Sequence, residues 1–257
     1  MKDHKVKRRD EQTLGLVNSV TVGANNKSEV NIGVDPNFIY IKRGGVPKEH
    51  CDFIIKNFEL GKNYVPGTVG AAREINYQRK SCVEEFVKIN NGNPYDNLFW
   101  PYLNIACGEY VRQYPFLKAL DPWGLYEIYK IQKYKPNEGY FDLHSEVTGA
   151  VETNGDAAAR MMVWMIYLND VTEGGYTIWP VQEKTIAPRC GDIVIWPAFW
   201  THPHKGIASK TQTKYILTGW WEFKGLTVEQ QQEKEKELVE LHKSNLEKHE
   251  EWVNSKK

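Results

Sequence analysis

The stretch MMVWMIYL, residues 161–168, decides the fold because it is the clearest signal of a buried strand in the chain. Its residues are apolar without alternation, which is typical of a strand that is covered on both faces. Asn169-Asp170 and then Gly174-Gly175 follow it, and such pairs favour turns. We therefore expect Met161–Leu168 to be a central strand of a buried sheet.

Shorter strand-like segments lie on both sides of this stretch. Leu125–Tyr134 precedes it and is rich in tyrosine and isoleucine. Further strands are predicted downstream at Tyr176–Trp179, Lys184–Ala187, Ile193–Trp196, His202–Gly206 and Lys214–Phe223. Many short strands that are separated by turn residues favour a β-sandwich or a β-barrel.

Two helices are predicted before the strands. The first begins near Val46-Pro47, since proline suits a first helical turn, and its apolar residues recur at helical spacing: Cys51, Ile54, Ile55 and Phe58. The second covers Leu98–Tyr114, with a buried stripe of Ile105, Ala106, Tyr110 and Val111. Helices that precede strands indicate an α+β class, with a mostly β core and supporting N-terminal helices.

The two ends of the chain differ from its middle in composition. Residues 1–37 are polar and predict a flexible tail, whereas residues 38–225 form the predicted main domain, with a strand-rich core at about 125–223. Residues 226–257 predict a charged C-terminal helix, in which Thr227 and Gln230 match a capping box. This helix could pack on the domain or pair two chains, so the oligomeric state stays open.

Composition and charge disfavour several classes of function. Lysine plus arginine equals aspartate plus glutamate at 33 each, so the chain lacks the basic excess that a nucleic-acid partner requires. No apolar run reaches the roughly 18 residues of a membrane-spanning helix. The first residues are charged, unlike a secretory signal, and the four cysteines form no C-x-x-C pair. We therefore expect a cytoplasmic protein without a membrane or nucleic-acid partner.

A histidine and a carboxylate lie two residues apart in His144-Ser145-Glu146. Residues i and i+2 of a strand share a face, so both side chains could reach one metal ion. A second histidine from a distant strand would complete a two-histidine, one-carboxylate triad, the ligand set of non-haem iron. Asp142 is a rival carboxylate on the same face, and a chance pair of surface residues is the alternative interpretation.

The second histidine comes from the segment THPHKG, residues 201–206. The aromatic side chains of Trp196, Phe199 and Trp200 lie beside it in sequence and favour an apolar setting over a solvated loop. His202 and His204 have the same strand parity, so alternation alone does not choose between them.

Lys214 begins the predicted strand Lys214–Phe223. Alternation places it on one face with Ile216, Thr218 and Trp220. A lysine that points into a barrel is an unpaired buried charge unless it meets an anion, such as a dicarboxylate. The alternative is a strand-end lysine whose ammonium group reaches water.

These residues belong to an ordered set of short motifs. The set consists of Gln78-Arg79-Lys80-Ser81, Tyr134, His144-x-Glu146, Arg160 with Tyr167-Leu168-Asn169, GGYTIWP at residues 174–180, Pro188-x-x-Gly191-Asp192, His204-x-Gly206 and Lys214. In this order the motifs resemble the prolyl 4-hydroxylase-like Fe(II)- and 2-oxoglutarate-dependent dioxygenases, over about residues 37–223. The resemblance implies a double-stranded β-helix, a jelly-roll or cupin-like fold, with iron at its open end.

The resemblance also implies roles for individual residues. His144, Glu146 and His204 would bind Fe(II), and Lys214 would pair with the C5 carboxylate of 2-oxoglutarate. Further residues implied for the 2-oxoglutarate pocket are Tyr167, Tyr134 and Thr218, and those for the substrate pocket are Trp220, Arg160 and Arg79. His204 is preferred to His202 because it follows Pro203, lies in an H-x-G pattern and precedes Lys214 by ten residues. Plain core packing is the alternative for Trp220.

Glu146 departs from the family, in which aspartate is usual at this position. Glutamate is longer by one methylene group, which puts the strength of the metal site in question. The implied reaction consumes 2-oxoglutarate and O2, releases succinate and CO2, and hydroxylates a C–H bond, with ascorbate as a further cofactor. Residues 147–159 follow the first two ligands directly and could form a lid.

The most specific function that the resemblance implies is hydroxylation of a prolyl residue in a peptide or protein. Hydroxylation of a free amino acid or another small molecule is an alternative. The glutamate at position 146 motivates a third hypothesis, a non-catalytic module that binds 2-oxoglutarate or a metal.

Overall fold

A computed structural model describes residues 35–70, 73–89, 93–120, 122–147, 157–225 and 228–255, and the backbone of 5–6, 19–22 and 28–31. The chain divides into two compact units, residues 1–223 and residues 224–257. In the first unit, three short strands form an antiparallel sheet in the order β1-β2-β3: Lys5–Val6 (β1), Ser19–Val22 (β2) and Ser28–Asn31 (β3).

Two further sheets build the body of the first unit. Their strands are Tyr40–Lys42 (β4), Val65–Pro66 (β5), Val83–Lys88 (β6), Trp123–Leu125 (β7), Ile128–Tyr134 (β8), Arg160–Tyr167 (β9), Thr177–Trp179 (β10), Lys184–Ile186 (β11), Ile193–Pro197 (β12), Lys205–Gly206 (β13) and Lys214–Phe223 (β14). The larger sheet has the order β4-β12-β9-β14-β8-β6-β5, with β7 paired to β14. The smaller sheet has the order β11-β10-β13. All of these pairs are antiparallel.

The predicted central strand is confirmed. Strand β9 lies between β12 and β14, and its residues from Met161 to Tyr167 are all buried. Trp164 and Ile166 pack into a core that includes the helices, whereas Val163, Met165 and Tyr167 pack into a second core toward the smaller sheet. An apolar run without alternation is needed because both faces of this strand are covered.

Close packing in the centre of the sheet depends on one glycine. A Cβ atom at Gly219 would lie 2.4 Å from Cζ2 of Trp164 on the neighbouring strand. Because atoms do not approach so closely without displacement, the absence of a side chain at Gly219 leaves room for the Trp164 ring beside β14. The ring then stacks on Phe99 of the helical layer, with ring centroids 5.4 Å apart.

The two predicted N-terminal helices are present. They span Lys48–Gly61 (α1) and Asp96–Gln113 (α2), and a 3-10 helix follows at Pro115–Ala119. The buried residues of α1 are Cys51, Ile54 and Phe58, as predicted.

The predicted stripe of α2 is wrong in part. Ile105 is 53 % exposed, and Phe99 and Leu103 are buried instead, together with Ala106 and Tyr110. The sheet decides this difference, because the stripe that starts at Phe99 is the one that meets Tyr129 and Trp164.

Other boundaries also differ from the sequence pattern. The predicted strand Leu125–Tyr134 is divided between β7 and β8, and β6 was not predicted. The segment predicted as a strand at His202–Gly206 forms only the short β13.

The fold class is therefore a double-stranded β-helix supported by helices. The helices pack on one face of the larger sheet, and the smaller sheet faces the other. Strand alternation on β8 and β14 sends Tyr129, Ile131 and Leu217 to the helical side. It sends Tyr134 and Ile216 to the side that faces the smaller sheet, where a functional site can form.

The second unit consists mainly of one helix, Val228–Asn254 (α3). Its larger apolar side chains are at least half exposed at Leu238, Leu241, Leu246 and Trp252. Thr227 lies outside the described residues, so the capping box with Gln230 stays a prediction. No helix in the described part of the chain is long and apolar enough to cross a membrane.

Candidate active site

A cavity of about 220 Å³ opens between the two sheets. Most of the residues that the sequence predicts for the site line it: Tyr134, His144, Glu146, Arg160, His204, Lys214, Thr218 and Trp220. Two predicted residues, Tyr167 and Arg79, are not among the described residues that line it. The predicted lid, residues 147–159, falls largely on 148–156, which lie outside the described residues.

Backbone pairing brings the two histidines together. The amide of His144 donates to the carbonyl of His204 at 3.0 Å, and the amide of His204 donates to the carbonyl of His144 at 2.9 Å. This bridge joins residues that are far apart in sequence, and the i+2 spacing adds Glu146 on the same side. Glu146 Oε1 lies 3.5 Å from Nε2 of His144 and 3.3 Å from Nε2 of His204.

Both imidazole rings are held in the orientation that a metal ligand requires. Nδ1 of His144 lies 2.9 Å from the carbonyl oxygen of Asp142, and Nδ1 of His204 lies 3.1 Å from that of His202. A proton on Nδ1 leaves the lone pair on Nε2 for a metal ion. Tyr140 stacks on the His144 ring at a centroid distance of 3.6 Å and fixes its plane.

The carboxylate of Glu146 is kept charged although it is buried. Burial raises its pKa, but hydrogen bonding to His144 and His204 outweighs burial and holds the pKa of Glu146 well below its usual range. Burial and the neighbouring His144 lower the pKa of His204. A charged carboxylate is the form of Glu146 that would bind a divalent metal.

Two side chains contact Oε2, the second carboxylate oxygen of Glu146. The indole Nε1 of Trp220 donates to Glu146 Oε2 at 3.0 Å. Arg160 Nη1 lies 3.6 Å from the same oxygen and donates to the Glu146 carbonyl at 3.0 Å, while its guanidinium covers the Trp220 ring at 3.8 Å. These contacts leave Oε1 directed at the histidines, so the longer glutamate side chain fits the cluster.

The rival ligands lie elsewhere. The ring nitrogens of His202 contact the carbonyl oxygen of Asn37 and the hydroxyl of Thr201, both at 2.9 Å. The carboxylate of Asp142 accepts a hydrogen bond from Arg79 at the surface. Among the described residues, the group able to hold one metal ion is His144, Glu146 and His204, whose ligand atoms lie within 4.8 Å of one another.

Lys214 points into the cavity and is 5 % exposed. Its Nζ donates to the carbonyl oxygen of Gly175 at 3.0 Å and lies 4.8 Å from the centre of the Tyr134 ring. Burial lowers the pKa of Lys214 to about 8. A buried ammonium group with neutral neighbours is stabilised when an anionic ligand enters.

Tyr167 does not line the cavity itself but contacts a residue that does. Its hydroxyl donates to Oγ1 of Thr177 at 2.8 Å, and Thr177 lines the cavity. The parity of β9 identified its direction, but only the tertiary structure shows that Thr177 lies between the phenol and the cavity.

Sequence reasoning missed a second polar group on the cavity wall. Glu84 of β6 is completely buried and contacts Lys80, Lys130 and Gln132, all three of which line the cavity. Lys130 and Gln132 lie two residues apart on β8, a strand-parity signal that could have placed them on one face. The sequence offers no signal for the burial of Glu84.

The donor set fits iron. Two imidazole nitrogens and one carboxylate oxygen converge on one point of a partly enclosed cavity, with sequence positions of the form H-x-E and a distant histidine. This facial arrangement leaves coordination positions open for other ligands and is typical of non-haem Fe(II) oxygenases. Fold and cluster together define the class of protein.

The family model of the 2OG-Fe(II) oxygenase superfamily matches residues 129–222 of the chain. The matched segment contains all three residues of the cluster and Lys214. No curated protein sequence matches the chain.

Solved prolyl hydroxylases share the fold. The viral collagen prolyl hydroxylase of Paramecium Bursaria Chlorella virus-1 has a TM-score of 0.54 and 17% identity, over 73% of this chain and 97% of that one. A Pseudomonas putida prolyl-4-hydroxylase has a TM-score of 0.55 and 13% identity, over 73% and 94%. A Trichoplax adhaerens prolyl hydroxylase, solved with a hypoxia inducible factor peptide fragment, has a TM-score of 0.55 and 14% identity, over 73% and 84%.

Proposed function

We propose that this protein is a dioxygenase that uses Fe(II), 2-oxoglutarate and O2 to hydroxylate a C–H bond, with release of succinate and CO2. One observation carries the proposal: the convergent ligand atoms of His144, Glu146 and His204 share a cavity with the buried Lys214. A set of three metal ligands alone is compatible with many activities. The same set beside a buried cation is suited to a dicarboxylate that chelates the metal.

The side chains of the site would divide the work as follows. His144, Glu146 and His204 would hold Fe(II), which supplies the oxidative chemistry when bound. Lys214 would bind the distal carboxylate of 2-oxoglutarate through a charge-assisted hydrogen bond and so orient the cosubstrate. The buried side chains of Met165, Trp196 and Ile216 line the same cavity and would keep water from the reacting groups.

We further propose that the hydroxylated group is a prolyl residue of a peptide or protein. The support is the shared fold with three prolyl hydroxylases, one of them solved with a peptide fragment. A free amino acid or another small molecule is the alternative substrate. Ascorbate dependence and a cytoplasmic location stay predictions.

Formation of succinate tests the proposed function. Purified protein loaded with Fe(II) is incubated with 2-oxoglutarate and O2, first alone and then with proline-containing peptides, and succinate is measured. We expect slow formation without a prime substrate and faster formation with one. Zinc-loaded protein is the matched negative control, because zinc takes the same ligands and is not redox-active.

Measurements of ligand binding and of succinate formation together distinguish an enzyme from a binding module. If iron and 2-oxoglutarate both bind, and no succinate forms above the zinc control with any substrate, the protein is a non-catalytic module. If neither ligand binds, the family resemblance does not extend to function.

A further inference from the structure

The wall of the cavity beside the metal cluster carries a buried ion network. Glu84 Oε2 accepts hydrogen bonds from Lys80 Nζ at 2.6 Å and from Gln132 Nε2 at 2.8 Å. Glu84 Oε1 accepts one from Lys130 Nζ at 3.2 Å. Burial opposes ionisation, but the two lysines outweigh it and hold the pKa of Glu84 at about 2. The carboxylate is therefore charged and fully engaged.

Two ammonium groups thus share a single carboxylate, which leaves the network with an excess positive charge. Lys80 is 2 % exposed and has a second acceptor in the Thr68 carbonyl oxygen, at 3.3 Å. Among the described residues, Lys130 donates to Glu84. An ammonium group has three N–H donors, so Lys130 keeps donors for a further acceptor.

Lys130 lines the same cavity as the proposed metal ligands. Its Nζ lies 4.6 Å from the centre of the Phe86 ring and 6.0 Å from that of the Trp220 ring. Trp220 in turn donates its indole hydrogen to Glu146. A ligand group bound by Lys130 would therefore lie near Trp220, which contacts the proposed metal ligand Glu146.

The other charges of the cavity do not offset this excess. A divalent metal, a dianionic cosubstrate, Glu146 and Lys214 would together carry no net charge, so Arg160, which contacts Glu146, adds a further positive charge. An anionic group on the prime substrate would offset the excess. Burial, together with the nearby Lys80, lowers the pKa of Lys130 to about 8, although Glu84 acts in the opposite direction.

We propose that Lys130, supported by Lys80, binds a carboxylate of the prime substrate close to the carbon that is hydroxylated. The inference rests on the proposed function and narrows its substrate to anionic compounds. Two sources supply this chemistry: an acidic residue that neighbours the target proline in a peptide, and the carboxylate of a free amino acid. The lysine pair is a specificity determinant in either case.

Two matched pairs of ligands test the carboxylate and distinguish its sources. Binding is measured by calorimetry under anaerobic conditions to protein that holds Fe(II) and 2-oxoglutarate. The first pair is L-proline and L-prolinamide. The second pair is an amidated, N-acetylated Pro-Glu peptide and its Pro-Gln counterpart. We expect the carboxylate member of one pair to bind about tenfold or more tightly than its neutral partner, since a charge-assisted hydrogen bond is then lost.

Variants assign the effect to Lys130. Lys130→Gln should remove the preference for the carboxylate, and Lys130→Arg should retain most of it. Lys88→Gln is the matched control, because Lys88 lies on β6 with a side chain that is 63% exposed. Should Lys130→Gln fail to fold, Lys130→Met, which keeps the length of the side chain without its charge, takes its place.

The outcomes separate the two proposals. Absence of a carboxylate preference in both pairs, in protein that still forms succinate from 2-oxoglutarate, overturns the anion site and leaves the dioxygenase standing. Failure to bind iron and 2-oxoglutarate overturns the proposed function itself. A preference that survives in Lys130→Gln places the anion elsewhere in the cavity and refutes the assignment to Lys130.

Discussion

The three proposed metal ligands and the ion network around Glu84 line the same cavity but are built in different ways. His144, Glu146 and His204 come from two segments that pair through their backbones. The side chains of three residues form the Glu84 network: Lys80 precedes β6, Glu84 lies on β6 and Lys130 lies on β8. The first group has the ligand set for a cation, and the second has an excess of positive charge.

The difference concerns what each group lacks. In the cluster one carboxylate faces two imidazoles, so the missing partner is positive. In the network one carboxylate faces two ammonium groups, so the missing partner is negative. Substitutions that alter either balance should therefore have opposite ligand requirements, and five predictions test this comparison.

The largest effect is expected at the cluster. His204→Ala removes one of three ligands and should abolish iron binding and succinate formation, as measured by metal content and product assay. His202→Ala is the matched control and should leave iron bound, because its ring contacts Asn37 and Thr201 and does not reach Glu146. Iron retained in the first variant and lost in the second would reverse the assignment.

The next effect is a loss of stability at the network. Glu84→Gln leaves two buried ammonium groups without a counter-charge and should lower the free energy of unfolding by about 3–5 kcal/mol in urea titration. Glu127→Gln, which disrupts a surface pair with Lys88 at 3.2 Å, should change it by at most about 1 kcal/mol. Equal effects in the two variants would mean that the network contributes no more than a surface pair.

The same network predicts an acid dependence of stability. The folded-state pKa of Glu84, about 2, lies below its ordinary value, so its contribution is present in full above the unfolded-state pKa. It is lost progressively as the pH falls from there through about 2. In Glu84→Gln this part of the acid dependence should be missing.

The fourth prediction distinguishes the affinity for 2-oxoglutarate from the affinity for iron. Lys214→Ala should weaken 2-oxoglutarate binding by about 2–5 kcal/mol, the cost of truncating a buried charge contact, and should leave iron affinity nearly unchanged. Lys210→Ala, an exposed lysine shortly before the same strand, is the control. A cosubstrate affinity that does not change in Lys214→Ala would show that this lysine does not meet the dicarboxylate.

The smallest effect is expected at the junction of the two groups. Trp220→Phe keeps an aromatic wall but removes the hydrogen bond to Glu146 Oε2, so iron affinity should fall by about tenfold. Trp221→Phe is a control on the helical side of the same strand. An iron affinity that stays constant in Trp220→Phe would mean that Arg160 alone orients the carboxylate.

The sequence by itself determined the elements whose rules are local. The unbroken apolar run of β9 and the alternation of β14 follow from strand geometry, so the directions of Lys214, Thr218 and Trp220 could be predicted. The i+2 spacing of His144 and Glu146 likewise needs only one extended segment. The order of motifs then supplied the distant histidine.

The tertiary structure alone decided which polar side chains are buried together. Glu84 sits in a segment with adjacent glutamates that looks exposed, and it is buried because β6 pairs with β8 and places it against Lys130 and Gln132. In the same way Arg79 pairs with Asp142 at the surface, and Tyr167 stops at Thr177. Strand parity fixes a direction from the backbone, but burial and pairing depend on which segment packs opposite, and that is a long-range property that no local pattern carries.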